Sequence, residues 1–579
     1  MMKGTVETMG ERRRRGPAPA WAGLGLVFAL LTAACGSLVD AEQAAPVRNG
    51  AAPAASPGDT APVAGAADGP APQPAQSNGL STPVQSAAPT AGSLSDSLNG
   101  AGSAAKAGAA TNAAGEGHPT VGTAKPTTGV TTVGPKASGP NEGGPGAGGP
   151  TPGGAEQLPD SISIKGPDSQ GVSGTTIRVG VIAPVSGAVG FLGENEVDAV
   201  RAFFESVNAR GGIRGRRYQM IVVDSQFEPS VEATATKRLV ERDKVFALIS
   251  PFGDSTGPYV TARGVPNIVF GVTPPAYSSK YPTTYPVGFN VIDAVAMEAH
   301  QLTQVLKLPI KSVALLYGGQ NAPYAPWAEY LKPAWEKYGV TVKSLDRFDI
   351  SDGDCTQIVI KLRNLNIDYW ALAQTVGWPI CQQAMARQQW TPPLGRGGPY
   401  TPDEHFVGQA GLASKDIYAM MNGVQIRQNK GEPYPWSPDG KAPEVDNFIA
   451  SMKRFSPSSS DMGSLENVWS QDFWVAAKLL HEALRRQTDA ITWEGVNRWI
   501  QGQDNWVSGL LSPLGFKPDC KKATPEWMFQ WKVDSDGKTL VQSDWKPYGG
   551  PVKLPVEVKN AIVPGAGDCY LTKMADAKL

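Results

Sequence analysis

A serine in a short glycine-bounded segment is the first residue whose spacing fits catalytic chemistry. Gly253-Asp-Ser-Thr-Gly257 fits the G-x-S-x-G pattern of a nucleophile elbow, in which the serine hydroxyl attacks a carbonyl carbon. The segment follows a predicted strand, and His300, His405 and His481 lie downstream as candidate general bases. Only three positions of the pattern are fixed, so a serine hydrolase that uses Ser255 stays a minor alternative.

Metal and nucleic-acid chemistry find little support in the sequence. No CxxC pair occurs, and the four histidines, which include His118, are scattered, so we expect neither a metal site nor a cofactor. Lys and Arg number 52 against 53 Asp and Glu, which leaves a formal net charge of -1. This balance provides no basic field that could hold a nucleic acid.

The N-terminal residues have the features of an export signal. Arg12 to Arg15 supply a positive head, and Trp21 to Ala34 form an apolar stretch too short to cross roughly 30 Å of hydrocarbon. Leu31-Thr-Ala-Ala-Cys-Gly-Ser37 resembles the lipobox of bacterial lipoproteins, although Thr32 stands where that family prefers leucine. The resemblance implies a signal peptide over residues 1–34 and acylation of Cys35, which would anchor the chain at the outer face of the cell membrane.

The composition then changes to Ala, Gly, Pro, Ser and Thr. Residues 35–171 contain almost no aromatic or large aliphatic side chains, so they cannot bury enough apolar surface to offset the entropy of ordering. We therefore predict a disordered tether, which would span roughly 60 to 70 Å as a coil and on the order of 400 Å if largely polyproline-like. The folded part is predicted over residues 172–579.

Strand and helix patterns alternate from residue 176 onward. Thr176 to Ala183 is an apolar, β-branched run suited to a buried strand, and Glu194 to Ala209 has apolar residues at helical spacing before Gly211-Gly212. The pattern then predicts strands at residues 218–223, 245–249 and 267–270, with a helix at 231–241. This alternation predicts a parallel sheet with helices on both faces.

A second series of the same kind follows. Strands are predicted at residues 312–316, 340–342, 368–373 and 416–420, with helices starting near Tyr324, Cys355 and Cys381. Residues 443–501 are rich in helical patterns, and the pattern of residues 527–531 with 539–541 is typical of a hairpin. Two series in one chain predict an α/β fold of two lobes.

Three segments of the first series carry a family resemblance: Ile177 to Gly187, Asn208 to Arg216 and Val223 to Pro229. They resemble the opening of the branched-chain amino-acid-binding proteins of ABC importers. The resemblance implies a type I periplasmic-binding fold, whose chain crosses three times between two lobes, each a mostly parallel sheet flanked by helices. It places lobe one at about residues 173–291 and 424–512, and lobe two at about 292–423 and 513–579.

The same resemblance implies a ligand site in the cleft between the lobes. Loops at the carboxyl ends of parallel strands lead into helix N-termini, whose free N–H groups favour anionic or carbonyl atoms. The family's hydroxyl-bearing loops match residues 253–256 and 271–273 in lobe one. The candidate ligand-binding residues are Phe191, Leu192, Gly253, Asp254, Ser255, Thr256, Val272, Thr273, Tyr324, Thr375, Trp378 and Tyr400.

One departure from the family bears on the ligand. Amino-acid binders of this family carry an acidic residue in lobe two that pairs with the ligand's ammonium group, whereas the matching stretch here, Pro393 to Tyr400, contains no acid. A buried ammonium group without a counter-charge is costly. We therefore expect a ligand other than a free α-amino acid, namely an apolar, aromatic or carboxylate-bearing compound.

Four cysteines remain after Cys35, an even number that favours disulfides in an exported chain. We predict a Cys355–Cys381 disulfide at the starts of successive helices of lobe two, where adjacent loops can bring the two residues together. We also predict a Cys520–Cys569 disulfide, which would fasten the C-terminal tail to lobe two.

The resemblance thus implies an extracytoplasmic solute-binding lipoprotein and not an enzyme. Such a protein would capture a small molecule by hinge closure, act as a monomer and deliver the molecule to a membrane ABC permease. A surface sensor of the same fold, whose closed form contacts another protein, stays open as an alternative.

Overall fold

The computed structural model describes Leu158 and residues 160–187, 190–318, 325–349, 352–373, 377–397, 417–424, 426, 443–523, 527–533, 540–542 and 552–579. The predicted signal peptide, Cys35 and nearly all of the predicted tether lie outside these residues. So do His118 and His405. Within the described ranges, no helix is long and apolar enough to cross a membrane.

The first sheet contains five parallel strands in the order β2-β1-β3-β4-β5. Both faces of β1 are covered, because Val181 packs into the larger core cluster while its neighbour Ile182 packs into the smaller one. The predicted parallel sheet is therefore confirmed. The strands are β1 (Thr176–Ala183), β2 (Arg217–Asp224), β3 (Ala247–Ser250), β4 (Asn267–Val269) and β5 (Thr284–Pro286).

The second sheet has seven strands in the order β14-β13-β10-β9-β8-β6-β7. Strands β6 to β10 run parallel, whereas β13 pairs antiparallel with β10 and with β14, which confirms the predicted hairpin. A separate antiparallel hairpin is formed by β11 and β12. The strands are β6 (Ser312–Gly318), β7 (Thr341–Phe348), β8 (Tyr369–Ala373), β9 (Arg396–Gly397), β10 (Ile417–Met421), β11 (Gly515–Lys517), β12 (Cys520–Lys522), β13 (Trp527–Val533) and β14 (Leu540–Gln542).

Helices cover the sheets, and their sequences show why they form where they do. In α1 the apolar residues recur at helical spacing and are buried, and the chain leaves the helix at Gly211 and Gly212, both at positive φ. The helices are α1 (Gly190–Ala209), α2 (Pro229–Glu241), α3 (Gly257–Arg263), α4 (Val291–His300), α5 (Lys332–Glu336), α6 (Thr356–Leu365), α7 (Trp378–Arg387), α8 (Pro443–Phe455), α9 (Met462–Glu466), α10 (Val468–Arg485), α11 (Trp493–Gln501), α12 (Val556–Ile562) and α13 (Tyr570–Lys578).

The chain passes between the two sheets three times. It leaves β5 for β6, returns from β10 to the helices α8 to α11, and leaves again for β13. The returning helices belong with the first sheet, because the ring of Trp474 in α10 meets Phe203 of α1 with centroids 4.9 Å apart. The second and third passages lie side by side, since the Ser512 amide donates to the Asn422 carbonyl at 2.7 Å.

Both predicted disulfides are present, Cys355–Cys381 and Cys520–Cys569. The second links the β11–β12 hairpin to the segment that leads into α13. The hairpin and α13 contact the 3-10 helix Pro274–Tyr277 of the first series, whereas α12 packs on α5 of the second. The C-terminal segment thus contacts elements of both series.

Candidate functional site

The carboxyl ends of four parallel strands bring four loops to one edge of the first sheet. Hydrogen bonds and ring contacts join each loop to the next. Asp224, at the end of β2, accepts from the Val185 amide at 3.1 Å, and Phe227 packs edge-to-face on Phe252 with centroids 5.1 Å apart. The loop after β3 is joined to the loop after β4 through Asp254. The predicted binding loops therefore form one continuous rim.

The three predicted hydroxyl residues of this rim all have partners within the protein. Thr273 is fully buried and donates to the Asp254 carboxyl at 3.1 Å. Thr256 is also fully buried; it donates to the Phe252 carbonyl at 3.2 Å and accepts from the Asn267 amide at 2.8 Å. Ser255 is half-buried and donates to a carboxyl oxygen of Glu232 in α2.

Behind the rim lie acidic side chains with unusual protonation. Burial raises the pKa of Glu232 to about 8, although the hydrogen bonds from Ser255 and the Phe252 amide oppose the shift. Burial, together with the charge of Glu232, raises the pKa of Glu196 in α1 well above its usual value. Neither carboxyl oxygen of Glu196 has a hydrogen-bond partner among the described residues. Burial also raises the pKa of Asp254. The edge is therefore rich in carboxyl groups whose pKa values are raised by burial.

Apolar side chains complete this edge. Phe191 is half-buried at the start of α1, whereas Leu192 is fully buried and Val272 is 5% exposed. The loop after β3 packs closely on the first lobe, because a Cβ at Gly253 would lie 2.9 Å from the Ala276 side chain. A larger residue at position 253 would therefore clash with Ala276 and Thr284 and force this loop to move.

In the second series the structure describes one of the four predicted binding residues. Trp378 begins α7, is fully buried, and donates its indole N–H to the Gly397 carbonyl at 3.0 Å. The Cys355–Cys381 disulfide fixes the same helix to the loop before α6. Tyr324, Thr375 and Tyr400 lie outside the described residues.

The sequence match that accompanies this geometry decides the family. Residues 176–538, more than half of the chain, match the family model for periplasmic binding proteins. The chain belongs to this family. Among curated proteins, this periplasmic binding protein is similar to the leucine-, isoleucine-, valine-, threonine-, and alanine-binding protein of Pseudomonas aeruginosa, with 21% identity over 214 residues. That match covers 36% of this chain and 56% of the relative, so the chain spans about half the relative's length.

Two solved structures share the fold of this periplasmic binding protein. A fatty acid ABC transporter substrate-binding protein from Thermomonospora curvata matches with a TM-score of 0.52 and 19% identity, covering 66% of this chain and 97% of the other. A solute binding protein of an ABC transporter from Rhodopseudomonas palustris BisB5, in complex with 3,4-dihydroxy benzoic acid, matches with a TM-score of 0.50 and 15% identity, covering 66% and 99%. The predicted two-lobed type I fold is confirmed, and the matched proteins support a solute-binding role.

The nucleophile-elbow pattern does not bring a serine and a histidine together among the described residues. Ser255 bonds to Glu232, whereas the imidazole of His300 bonds to Tyr338 at 2.7 Å and that of His481 to Tyr218 at 3.1 Å. Burial, reinforced by nearby arginines and lysines, lowers the pKa of His481 to about 3.

Sequence reasoning missed four side chains of this periplasmic binding protein that shape the rim: Glu196, Glu232, Phe227 and Phe252. One signal was available for Glu196, because it stands between Leu192 and Val200 at a spacing of four, on the apolar face of a predicted helix. An acid on that face is unusual and marks a buried carboxyl group. Glu232 carries no comparable signal, since it lies in the first turn of α2, where acids are common on helices.

Proposed function

We propose that this periplasmic binding protein captures a small solute in the cleft between its two lobes, closes on it by a hinge motion and delivers it to a membrane ABC permease. The observation that carries the proposal is the pair of sheets joined by three passages of the chain, of which the second and third lie side by side. Such passages can bend together while each lobe stays rigid. Contacts from both lobes would favour the closed arrangement, which the permease would then recognise.

The division into lobes at residues 173–291 with 424–512, and 292–423 with 513–579, is part of this proposal. The packing of α10 on α1 supports the assignment of the returning helices to lobe one. The C-terminal segment, which is part of lobe two in this division, also contacts residues 274–284 of lobe one, so it would lie at the junction between the lobes.

Export and anchoring are proposed from the N-terminal sequence. The signal peptide would be removed before Cys35, acylation of Cys35 would hold the protein at the outer face of the membrane, and residues 35–171 would act as the tether. Membership of the periplasmic binding proteins supports export. We propose that the anchored protein is monomeric.

The ligand is proposed to be a small molecule other than a free α-amino acid, held by the twelve candidate residues of the two lobes. The hydroxyls of Ser255 and Thr273 already donate to carboxyl groups, so neither is free to donate to a ligand carboxylate in this arrangement. An ionised Asp254 would also repel a ligand carboxylate bound at this loop.

A ligand screen on the full-length chain tests this function. Thermal shift against a metabolite library should identify compounds that raise the melting temperature, because a ligand that binds only the folded state stabilises it by mass action. Small-angle X-ray scattering should then show a smaller radius of gyration with the bound compound. Submicromolar binding of leucine by calorimetry would contradict the ligand proposal, and stabilising compounds that leave the scattering unchanged would contradict hinge closure.

A further inference from the structure

Three acidic side chains meet at the rim of the first lobe, on three separate elements. Asp254 lies in the loop after β3, Glu232 lies in the first turn of α2 directly behind that loop, and Glu196 lies on α1. Glu196 and Glu232 are buried, whereas Asp254 is half-buried by its exposed surface. The fold therefore gathers three carboxyl groups at the edge where the ligand is proposed to bind.

None of these carboxyl groups is paired with a lysine or arginine in the part of the chain that the structure describes. The Glu196 carboxyl has no hydrogen-bond partner there at all and lies close enough to Glu232 for the charge of one to raise the pKa of the other. Buried carboxyl groups are normally hydrogen-bonded or paired with a cation. This cluster therefore lacks a positive charge.

The hydrogen bonds of the rim hydroxyl groups also disfavour an anionic ligand. Ser255 and Thr273 would serve an anionic ligand by donating hydrogen bonds, but both donate to the carboxyl groups of Glu232 and Asp254. A ligand that reaches the rim thus meets carboxyl groups instead of free hydroxyl donors. Once ionised, these carboxyl groups favour a ligand that donates hydrogen bonds and carries positive charge.

Aromatic rings lie in the same part of the rim as Asp254. Phe252 is adjacent in sequence to the Gly253-Asp254 turn, packs edge-to-face on Phe227, and is half-buried like Phe227 and Phe191. The face of an aromatic ring attracts a cation and also packs against an apolar body. Carboxyl groups with flanking rings are the usual setting for organic cations.

We propose that this rim recognises the ammonium group of an organic cation that has an apolar or aromatic body and no carboxylate. The inference rests on the proposed solute-binding function and specifies its ligand class. The ammonium group would lie against Asp254 with Glu232 behind it, and the body would lie against Phe252 and Phe227.

Four compounds with one shared aromatic body test this class on the full-length chain: phenethylamine, phenylacetamide, phenylacetate and L-phenylalanine. Phenethylamine should raise the melting temperature with increasing concentration and should bind at least about tenfold more tightly than the other three by calorimetry. The inference is overturned if phenylacetate or L-phenylalanine binds more tightly, or if phenethylamine produces no shift.

Two variants locate the site. Asp254→Asn keeps the acceptor for Thr273 but removes the charge, so it should weaken phenethylamine binding about tenfold or more, and Asp254→Glu should restore most of it. Asp504→Asn is the matched control, because Asp504 is exposed and pairs with Lys517 and Lys522 elsewhere on the surface. Equal binding by Asp254→Asn and Asp504→Asn would exclude the rim as the cation site.

The pH dependence gives an independent measurement. Glu232 faces Glu196, Asp254, the Ser255 hydroxyl and the Phe252 amide, and burial raises the pKa of Glu232 to about 8. A cation favours the ionised carboxylate, so phenethylamine, which stays protonated like a lysine amine, should bind more tightly as pH rises from about 6 to about 8. Calorimetry in two buffers of different ionisation enthalpy should show proton release on binding, and binding without proton release that weakens toward pH 8 would contradict the inference.

The results also separate this inference from the function on which it rests. If phenylacetate or L-phenylalanine binds and scattering shows closure, the solute-binding function stands and the cation class is wrong. If neither the four compounds nor a metabolite library changes the melting temperature or the scattering, both proposals fail together.

Discussion

Lys521 holds residues 276–284 by hydrogen bonds, in the segment that follows the proposed binding loop 271–273. Its buried Nζ lies 2.9 to 3.1 Å from the backbone carbonyl oxygens of Ala276, Ser278, Tyr281 and Thr284, which share its three N–H donors. Replacing the side chain in Lys521→Met would leave these carbonyls without their donor in a buried place. We expect the free energy of unfolding to fall by about 3–5 kcal/mol, measured by urea denaturation.

The neighbouring lysine provides the control for that measurement. Lys522 is more exposed and pairs with Asp504 at the surface, so Lys522→Met should change the free energy of unfolding by less than about 1 kcal/mol. Equal losses in the two variants would show that the converging carbonyls do not depend on the Lys521 ammonium group.

At the residue scale, the sequence identifies the loops but not the partners of their side chains. Ser255 and Thr273 lie in the two loops where the family resemblance predicts them, which follows from local order along the chain. The Ser255–Glu232 bond joins residues 23 positions apart, and the Lys521–Ala276 bond joins residues 245 apart. No periodicity or motif encodes such pairs, because they exist only once the elements have packed.

At the scale of elements, the Cys520–Cys569 disulfide ties the β11–β12 hairpin to α13. In α13 the Asp576 carboxylate accepts from the Ser279 amide at 2.8 Å and from the Ser278 hydroxyl at 2.6 Å. Cys520→Ala/Cys569→Ala should lower the free energy of unfolding by about 3–4 kcal/mol, because the unfolded chain loses a cross-link. It should also speed hydrogen exchange of the Ser279 amide, measured by mass spectrometry.

The other disulfide separates the loss of stability from the faster hydrogen exchange of the Ser279 amide. Cys355→Ala/Cys381→Ala should cost a similar amount of stability, since it also removes a long-range cross-link, but it lies in the second series, away from Ser279. If both double variants change the hydrogen exchange of the Ser279 amide equally under native conditions, the Cys520–Cys569 disulfide does not hold α13 against Ser279.

The elements that sequence reasoning placed well are those with continuous apolar runs, such as β1 and β3, whose residues are buried on both faces. Strand β7 was predicted only over residues 340–342 but extends from Thr341 to Phe348. It lies at the edge of the sheet, where polar residues are tolerated, so it lacks the continuous apolar run that identifies a strand in the sequence. The β11–β12 hairpin was not predicted. Its charged residues resemble a loop, and a disulfide, a buried lysine and the buried ring of Phe516 stabilise it.

At the scale of the whole molecule, buried carboxyl groups occur in both lobes and at their junction. Burial is the main cause that raises the pKa of each, to about 8 in Glu232, to about 7 in Asp293 and to about 8 in Glu298. The same cause raises the pKa values of Glu196, Asp254 and Asp472. Between about pH 4.5 and 8 the folded protein therefore keeps protons that the unfolded chain has released.

This difference in bound protons sets the direction of the pH dependence of stability. A carboxyl group with a raised folded pKa stabilises the protein below its unfolded pKa, and that stability is lost as pH rises through the folded pKa. Three bases act oppositely. Burial lowers the pKa of His481 to about 3 and also lowers that of His300, so both act below about pH 6.5, and it lowers the pKa of Lys521 to about 7, so Lys521 acts above about pH 7. Among the described residues the six carboxyl groups outnumber these three bases. We expect the melting temperature of the full-length chain to be at least about 3 °C higher at pH 5.5 than at pH 8, measured by differential scanning calorimetry. Glu298→Gln, which can still accept from Tyr369, should reduce this difference, and a melting temperature that rises steadily from pH 5.5 to pH 8 would show that the buried carboxyl groups do not hold their protons.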